Sequence, residues 1–400
     1  MRNNFASCTL HFAFPDVLVL GLGPVGIGIL RSLKKCGGIR VFGVVLDPET
    51  EKGRFTRLCT VLHWANPKYR EDEFIRTLIQ WAENREKVIV FTTRDEEVHL
   101  LARYADILPF NILYYRNSSQ MVRCLDDKVL ANELAQSCGL TTPRSYPIKR
   151  KEAPDKFRFP GIIKPTAIPP KGFPDKNLLV EDTDALHSAL DTYPCLINRS
   201  ILQEYIPGGD DQVYQCTALI GKKGDMLGSI EIRKLRQYPV GRGIACFAHT
   251  LRHKELSDLC GILAKKSGIT GLISVEFKKD MRDGQWVFIE ANLRMPGYNS
   301  LFSCTDVNLS KMYISDLLGE LDNTQKAENS KQFYWMREEL DLSNIVNKKV
   351  NIPISEWFKD VLRTDAFAFW HRTDPMPGMV NLFQMAKSFF NNVKRRFFSK

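Results

Sequence analysis

The sequence predicts an α/β unit followed by an α+β body, and three observations carry that expectation. A glycine-rich turn joins an apolar run to a helix near the N-terminus. Further apolar runs alternate with amphipathic segments up to about residue 120. Beyond it, short strand-like runs follow one another with turns between them. Alternation implies a parallel sheet, whereas direct succession implies antiparallel ones.

Val17 to Leu20, then Gly21-Leu-Gly23-Pro-Val-Gly26-Ile-Gly28 and Ile29, Leu30 and Leu33, read as strand, tight turn and helix. Two readings of that turn are open. It is a dinucleotide site, with Asp47 on a ribose hydroxyl, or its glycines only permit a sharp turn and close helix packing. The context below favours scaffold or substrate edge. A second strand, Val41 to Leu46, ends in Asp47, and a third, Val88 to Thr92, follows a helix carrying Phe74, Leu78, Ile79 and Trp81. At Asp126-Asp127-Lys128 the texture changes, and a helix with Val129, Leu130, Leu134 and Ala135 stops at Cys138-Gly139. Phe159 to Pro165 is a short apolar strand in which Pro165 follows Lys164, and a proline- and lysine-bearing loop runs from Thr166 to Asn177. Strands are expected at Leu196 to Ile206, Gln212 to Gly221 and Met226 to Arg233, then a helix from Lys254 to Ser267. A hairpin follows, Gly271 to Phe277 and Trp286 to Arg294, turning at Asp280 to Gly284. Asn323 to Ser330 is a polar linker before a small helical tail. The expected divisions are 1–120, 121–205, 206–322 and 323–400.

Composition narrows the classes. The chain has 400 residues, 44% hydrophobic and 26% charged, which suits two or three packed domains. No apolar run reaches the roughly 18 residues a membrane-spanning helix needs. Ten cysteines without a CxxC pair argue against a zinc knuckle, a thioredoxin-like site or a disulfide scaffold, and suit a reducing cytoplasm. The N-terminus lacks a signal peptide's basic start and unbroken apolar core. A net charge of +10 draws anions without choosing among them.

The chemistry is concentrated in the hairpin. Side chains two apart on a strand share a face, so Glu290, Asn292 and Arg294 form one row that Glu276 can oppose. Unpaired charges on a half-buried sheet are costly. A magnesium–nucleotide site explains them better than a solvated hairpin, because hard cations take carboxylate, amide and phosphate oxygens. Lys128, Lys164, Lys234 and Arg236 could offset a triphosphate from several sides. His249 and His253 are read as structural.

At these residues the sequence resembles the ATP-grasp superfamily over about residues 15 to 320. The resemblance implies a Rossmann-like pre-ATP-grasp domain, a two-lobed ATP-grasp fold with antiparallel sheets, and a short helical C-terminal tail. Asp127-Lys128 and Ile162-Ile163-Lys164-Pro165 resemble the two nucleotide-lysine segments. Leu202 to Asp211 resembles the hinge, in which Gln203, Glu204, Tyr205 and Ile206 would line adenine and Asp211 would hold the ribose. Glu276, Glu290 and Asn292 match the metal ligands, for two magnesium ions or manganese. Arg294 matches the phosphate or acyl-phosphate contact, with Lys234 or Arg236 assisting at the acyl phosphate. Within the superfamily, Arg236 to Pro239 and Phe367-Ala-Phe-Trp-His-Arg-Thr-Asp374-Pro375 resemble the carbamoyl-phosphate-synthase-like carboxylate–amine ligases. The loop Ile168-Pro169-Pro170-Lys171-Gly172-Phe173 departs from the family's glycine-rich lid, and Ala291 and Leu293 depart beside the metal row.

The implied activity is ADP-forming ligation of a carboxylate to an amine, with ATP and Mg2+ as cofactors and small-molecule substrates rather than nucleic acid as partners. A homodimer is left open. Residues 379–400, with Met379, Leu382, Ala386, Phe390, Val393 and Phe397 on one face and Lys387, Lys394, Arg395, Arg396 and Lys400 around it, either pack on the body or lie on an anionic membrane. Two rivals are a non-catalytic nucleotide-binding protein and an NAD-dependent oxidoreductase.

Overall fold

The computed structural model describes residues 15–34, 36–152, 154–155, 157–166, 172, 177–320 and 331–398, with side chains in the last helix described through residue 387. The expected lid residues 168–171 and 173–174, the linker 323–330 and the side chains of Phe390, Val393, Lys394, Arg395, Arg396, Phe397 and Lys400 lie outside the described residues.

The first sheet is formed by β1 (Asp16–Leu20), β2 (Arg40–Val45), β3 (Thr60–His63), β4 (Val88–Thr92) and β5 (Ile112–Leu113), all parallel in the order β3-β2-β1-β4-β5. Every residue of β1 is buried, as expected for a central strand covered on both faces. The glycine turn is held from within the protein. Gly21 adopts φ +94°, and the Glu51 carboxylate accepts hydrogen bonds from the Leu22 and Leu46 amides at 2.8 and 3.1 Å. A protein carboxylate therefore holds the Leu22 amide of the turn, where a dinucleotide site would offer it to a pyrophosphate. At Gly28 a Cβ would sit 1.4 Å from the Asn299 side-chain oxygen, so glycine there admits the loop that follows the large sheet.

A four-stranded antiparallel sheet comes next, from β6 (Ser145–Pro147), β7 (Gly161–Pro165), β8 (Leu178–Val180) and β9 (Ser200–Glu204), ordered β6-β9-β7-β8. The helix Thr183–Thr192 buries Leu186 and Leu190 against Ile163 and Leu202.

The large sheet contains β10 (Val213–Ile220), β11 (Met226–Tyr238), β12 (Ile244–Leu251), β13 (Gly271–Lys279), β14 (Trp286–Asn292), β15 (Tyr334–Met336) and β16 (Ala366–Phe367). Their order is β14-β13-β10-β11-β12-β15-β16. One face packs on the helix Lys254–Ser267 through Leu256, Cys260 and Leu263.

The C-terminal region differs from a purely helical tail, because β15 and β16 extend this sheet. Trp335 is buried in the same core as Val17, Ile27, Ile232 and Phe302, and that burial draws the segment onto the sheet edge. The segment is also latched to the N-terminal unit. Arg31 donates to the carbonyls of Phe367 and Phe369 at 2.5 and 2.6 Å, and the Glu338 carboxylate accepts from the amides of Ala368, Phe369 and Trp370 at 3.1, 3.1 and 2.7 Å. Asp374 accepts from the Thr56 hydroxyl and the Arg57 amide at 2.6 and 3.1 Å. In the helix Met376–Phe398 the expected apolar stripe faces outward as far as it is described, with Met379, Leu382 and Ala386 exposed. Among the described residues no helix is long and apolar enough to cross a membrane.

Candidate active site

A cavity of about 420 Å³ is lined by residues of both the four-stranded and the seven-stranded sheet. On the large sheet, Glu276 of β13 stands opposite Glu290 of β14 and, on its other side, opposite Gln215 of β10. Two neighbouring carboxylates repel, and cations offset them. The Lys234 ammonium lies 2.6 Å from a Glu276 oxygen and 3.2 Å from the Gln237 side-chain oxygen, while the Lys128 ammonium lies 3.9 Å from Glu290. Lys128 opens the helix Lys128–Ser137, whose preceding Asp127 caps the Val129 and Leu130 amides at 2.9 and 3.1 Å. Asn292 donates to Glu290 at 3.4 Å but is not part of the cavity's lining.

The small sheet supplies the opposite wall. Lys164 on β7 is buried, and Gln203 and Glu204 at the end of β9 lead into Tyr205 and Ile206, all five lining the cavity. Arg282 reaches across from the β13–β14 turn to Glu204 at 2.6 Å, tying the hinge to the large sheet. Lys278 lies over the Tyr205 ring at 4.4 Å. Burial pulls its ammonium down to about 8, with nearby acids such as Asp210 and Glu276 opposing, and it has no hydrogen-bonded acceptor among the described residues.

Nine expected site residues thus share one cavity: Lys128, Lys164, Gln203, Glu204, Tyr205, Ile206, Lys234, Glu276 and Glu290. Four lie outside its lining and need correction, Asn292 and the three that follow. Arg236 is buried away from it, held by Asp341 at 2.8 and 2.8 Å and by Asp360 at 2.6 Å. Register shifts on either side of Arg236 break the alternation that would have placed it beside Lys234. Asp211 lies outside the cavity and accepts from Arg233 at 2.9 Å, whereas Asp210 holds the Gln237 and Gly241 amides at 2.8 and 2.7 Å. Arg294 turns toward the parallel-sheet unit, where both of its bonds to Asp95 are 2.8 Å.

Several lining residues were not anticipated, among them Gln215, Lys278, Arg242, Tyr298, Trp335 and Arg337. Lys278 could have been found, since it lies two residues past Glu276 on one strand. Gln215 requires the β10–β13 register, and Trp335 and Arg337 require β15. His249 is structural as expected, with its ring nitrogen 2.9 Å from the Thr250 carbonyl.

The donor set fits magnesium. Two carboxylates and an adjacent amide, beside several ammonium groups, match a hard cation that takes one or two carboxylates and completes its shell with phosphate oxygens and water. Among the described residues no cluster of three or more His, Cys, Asp or Glu could hold a metal alone.

No protein-family profile and no curated protein matches the sequence. Solved structures do match its fold. The chain is similar to the biotin carboxylase domain of 2-oxoglutarate carboxylase from Hydrogenobacter thermophilus, in complex with MgADP, ADP and bicarbonate, at 18% identity and TM-score 0.62, covering 81% of this chain and 74% of that one. N5-carboxyaminoimidazole synthetase from Staphylococcus aureus with ADP matches at 15% identity and TM-score 0.62, over 83% and 85%. L-amino acid ligase from Bacillus licheniformis matches at 15% and 0.60, over 80% and 79%. The chain therefore has the mixed α/β architecture these proteins share. More particularly, it has the ATP-grasp fold, with a Rossmann-like parallel sheet ahead of a four-stranded antiparallel sheet and a largely antiparallel seven-stranded one.

Proposed function

We propose that this protein is an ADP-forming, ATP- and Mg2+-dependent ligase that activates a carboxylate for attack by an amine. The observation that carries the reading is the Glu276–Glu290 pair, facing across adjacent strands among Lys128, Lys164 and Lys234 inside one cavity. The three structural relatives above add support, two having been solved with ADP.

A carboxylate resists amines because its leaving group would be oxide, so phosphorylation must come first. The γ-phosphoryl group passes to the carboxylate as an acyl phosphate, the amine displaces phosphate, and an amide remains. Glu204, Tyr205 and Ile206 would line the nucleotide base, with Lys164 and Lys128 on the phosphates. Glu276 and Glu290, with Asn292 beside them, would hold the divalent cation. When bound, that cation supplies charge neutralisation for the phosphoryl group. Lys234 would turn from Glu276 toward the transferring oxygens, so positioning and electrostatics supply most of the rate. Regions 1–120, 121–205, 206–322 and 323–400 would act as the substrate-side unit, the small lobe, the metal-bearing lobe and a closing extension.

ADP release across pooled carboxylates and amines tests the proposal. Turnover that needs both pools and is lost in Glu290→Gln is expected. NADH-dependent fluorescence change without ADP release would favour the oxidoreductase rival.

A further inference from the structure

The helix Met376–Phe398 meets the body through its polar side. Asn381 is buried and donates to the Glu339 carboxylate at 3.4 Å, and at Gly378 a Cβ would stand 2.7 Å from the Trp370 backbone. At about 100° per residue, Asn381 lies roughly 200° around the helix from Met379. The apolar stripe therefore points away from the protein. Met379 and Leu382 are each 52% exposed and Phe383 is 71% exposed, with Ala386 exposed one turn further on. A surface helix ordinarily turns a stripe with this spacing of i, i+3, i+4 and i+7 toward the core. Here the docking is inverted.

Charge and length indicate what covers the stripe. Residues 375–400 carry five Lys or Arg and no Asp or Glu. A second copy would bring the same positive charge against this one, so like charges oppose self-pairing while an anionic surface is attracted. The helix has 23 residues, roughly 35 Å at ~1.5 Å each, and the sequence keeps the apolar spacing with Phe390, Val393 and Phe397. Among the described residues no helix is long and apolar enough to cross a membrane, so this one would lie along a surface and not through it. An acidic protein answers the charge alone. A long Met, Leu and Phe stripe beside Lys and Arg calls for a continuous apolar phase under a charged layer, which lipid supplies.

We propose that the helix Met376–Phe398 docks this protein on an anionic lipid surface, sinking Met379, Leu382, Phe383 and Ala386 among the acyl chains and setting Lys387 and the basic residues after it against the headgroups. Apolar burial and headgroup attraction act together, and salt weakens only the second. The inference stands apart from the ligase reading, since none of these residues lines the cavity.

The test is flotation of the full chain with vesicles of phosphatidylcholine containing about 30% phosphatidylglycerol, and with vesicles of phosphatidylcholine alone. It compares the parent with the double variant Leu382→Glu/Phe383→Glu and with Phe383→Ser. The parent is expected to float with the anionic vesicles, at least tenfold less with the neutral ones, and less as salt is raised. Binding should weaken tenfold or more in the double variant and at least threefold in Phe383→Ser, with the unfolding midpoint unchanged in both. Should the double variant unfold, Phe383→Ser carries the comparison. No flotation of the parent, or equal flotation of parent and variants, overturns the proposal. So does a concentration-dependent dimer in sedimentation velocity that the double substitution abolishes while no vesicle is bound, which would assign the stripe to a second copy. Binding to soluble polyglutamate without flotation overturns it in favour of an acidic protein.

Discussion

Arg294 and Asp95 meet through two 2.8 Å hydrogen bonds, joining the end of the Glu290–Asn292–Arg294 row to the first residue of the helix Asp95–Arg103 on the parallel-sheet unit. Arg294 also reaches the Asn292 oxygen at 3.5 Å. The pair therefore positions the row from outside the cavity. Asp95→Ala is expected to cost about 1 kcal/mol of stability, a modest loss because the carboxylate is 41% exposed. It should also weaken Mg2+ dependence of ADP release severalfold. An unchanged Mg2+ requirement would leave Asp95 as surface bonding only.

Glu290→Gln removes one of the two facing carboxylates while keeping its shape. By analogy with loss of one preorganised group, the barrier should rise by about 2–4 kcal/mol, or 30- to 1,000-fold in kcat. Steady-state ADP release measures it, and a parent-like rate would sink the metal assignment.

Lys278 should show opposite effects on stability and binding. A buried ammonium without an acceptor is costly, so Lys278→Met should stabilise the free protein by about 1–3 kcal/mol. Mg·ATP should bind the variant more weakly. Denaturant melts and nucleotide titrations on the same preparation check both signs, and a destabilised variant with full affinity contradicts the assignment.

Arg236 should be structural. Arg236→Met leaves Asp341 and Asp360 facing each other in a buried site, a change expected to cost about 3–5 kcal/mol. The folded fraction should turn over normally, which separates this residue from Lys234.

Burial pushes the Glu338 and Glu97 carboxyls from 4.5 up to about 7. Each then binds its proton more tightly in the native state, so between pH 4.5 and 7 the native protein holds more protons than the unfolded chain, and stability falls as pH rises through that window. Glu338→Gln should flatten the fall in unfolding free energy between pH 5 and 7.5. A slope equal to the parent's would contradict it.

The helices and strands that follow simple periodicity were legible: Lys254–Ser267 coincides with its expected span, and Glu276 faces Glu290 as strand alternation allowed. Lys128 and Lys164 were legible as a helix start and a strand end that now line the cavity, whereas the Leu202–Asp211 segment was singled out only by the ATP-grasp resemblance. Arg236 misled because the bulges around it are set by cross-strand pairing, which no local pattern records. β15 and β16 escaped because strands of three and two residues carry no period of their own, and they form only by pairing, β15 against β12 and β16 against β15. Arg337 was hidden with them.

The most direct measurement is calorimetric titration of ATP with and without Mg2+ into the parent protein and Glu276→Gln. Expected is one-to-one binding that strengthens markedly with Mg2+ in the parent and loses that gain in the variant. Nucleotide binding indifferent to Mg2+, or none at all, would contradict the central claim that Glu276 and Glu290 share a cation beneath a nucleotide's phosphates.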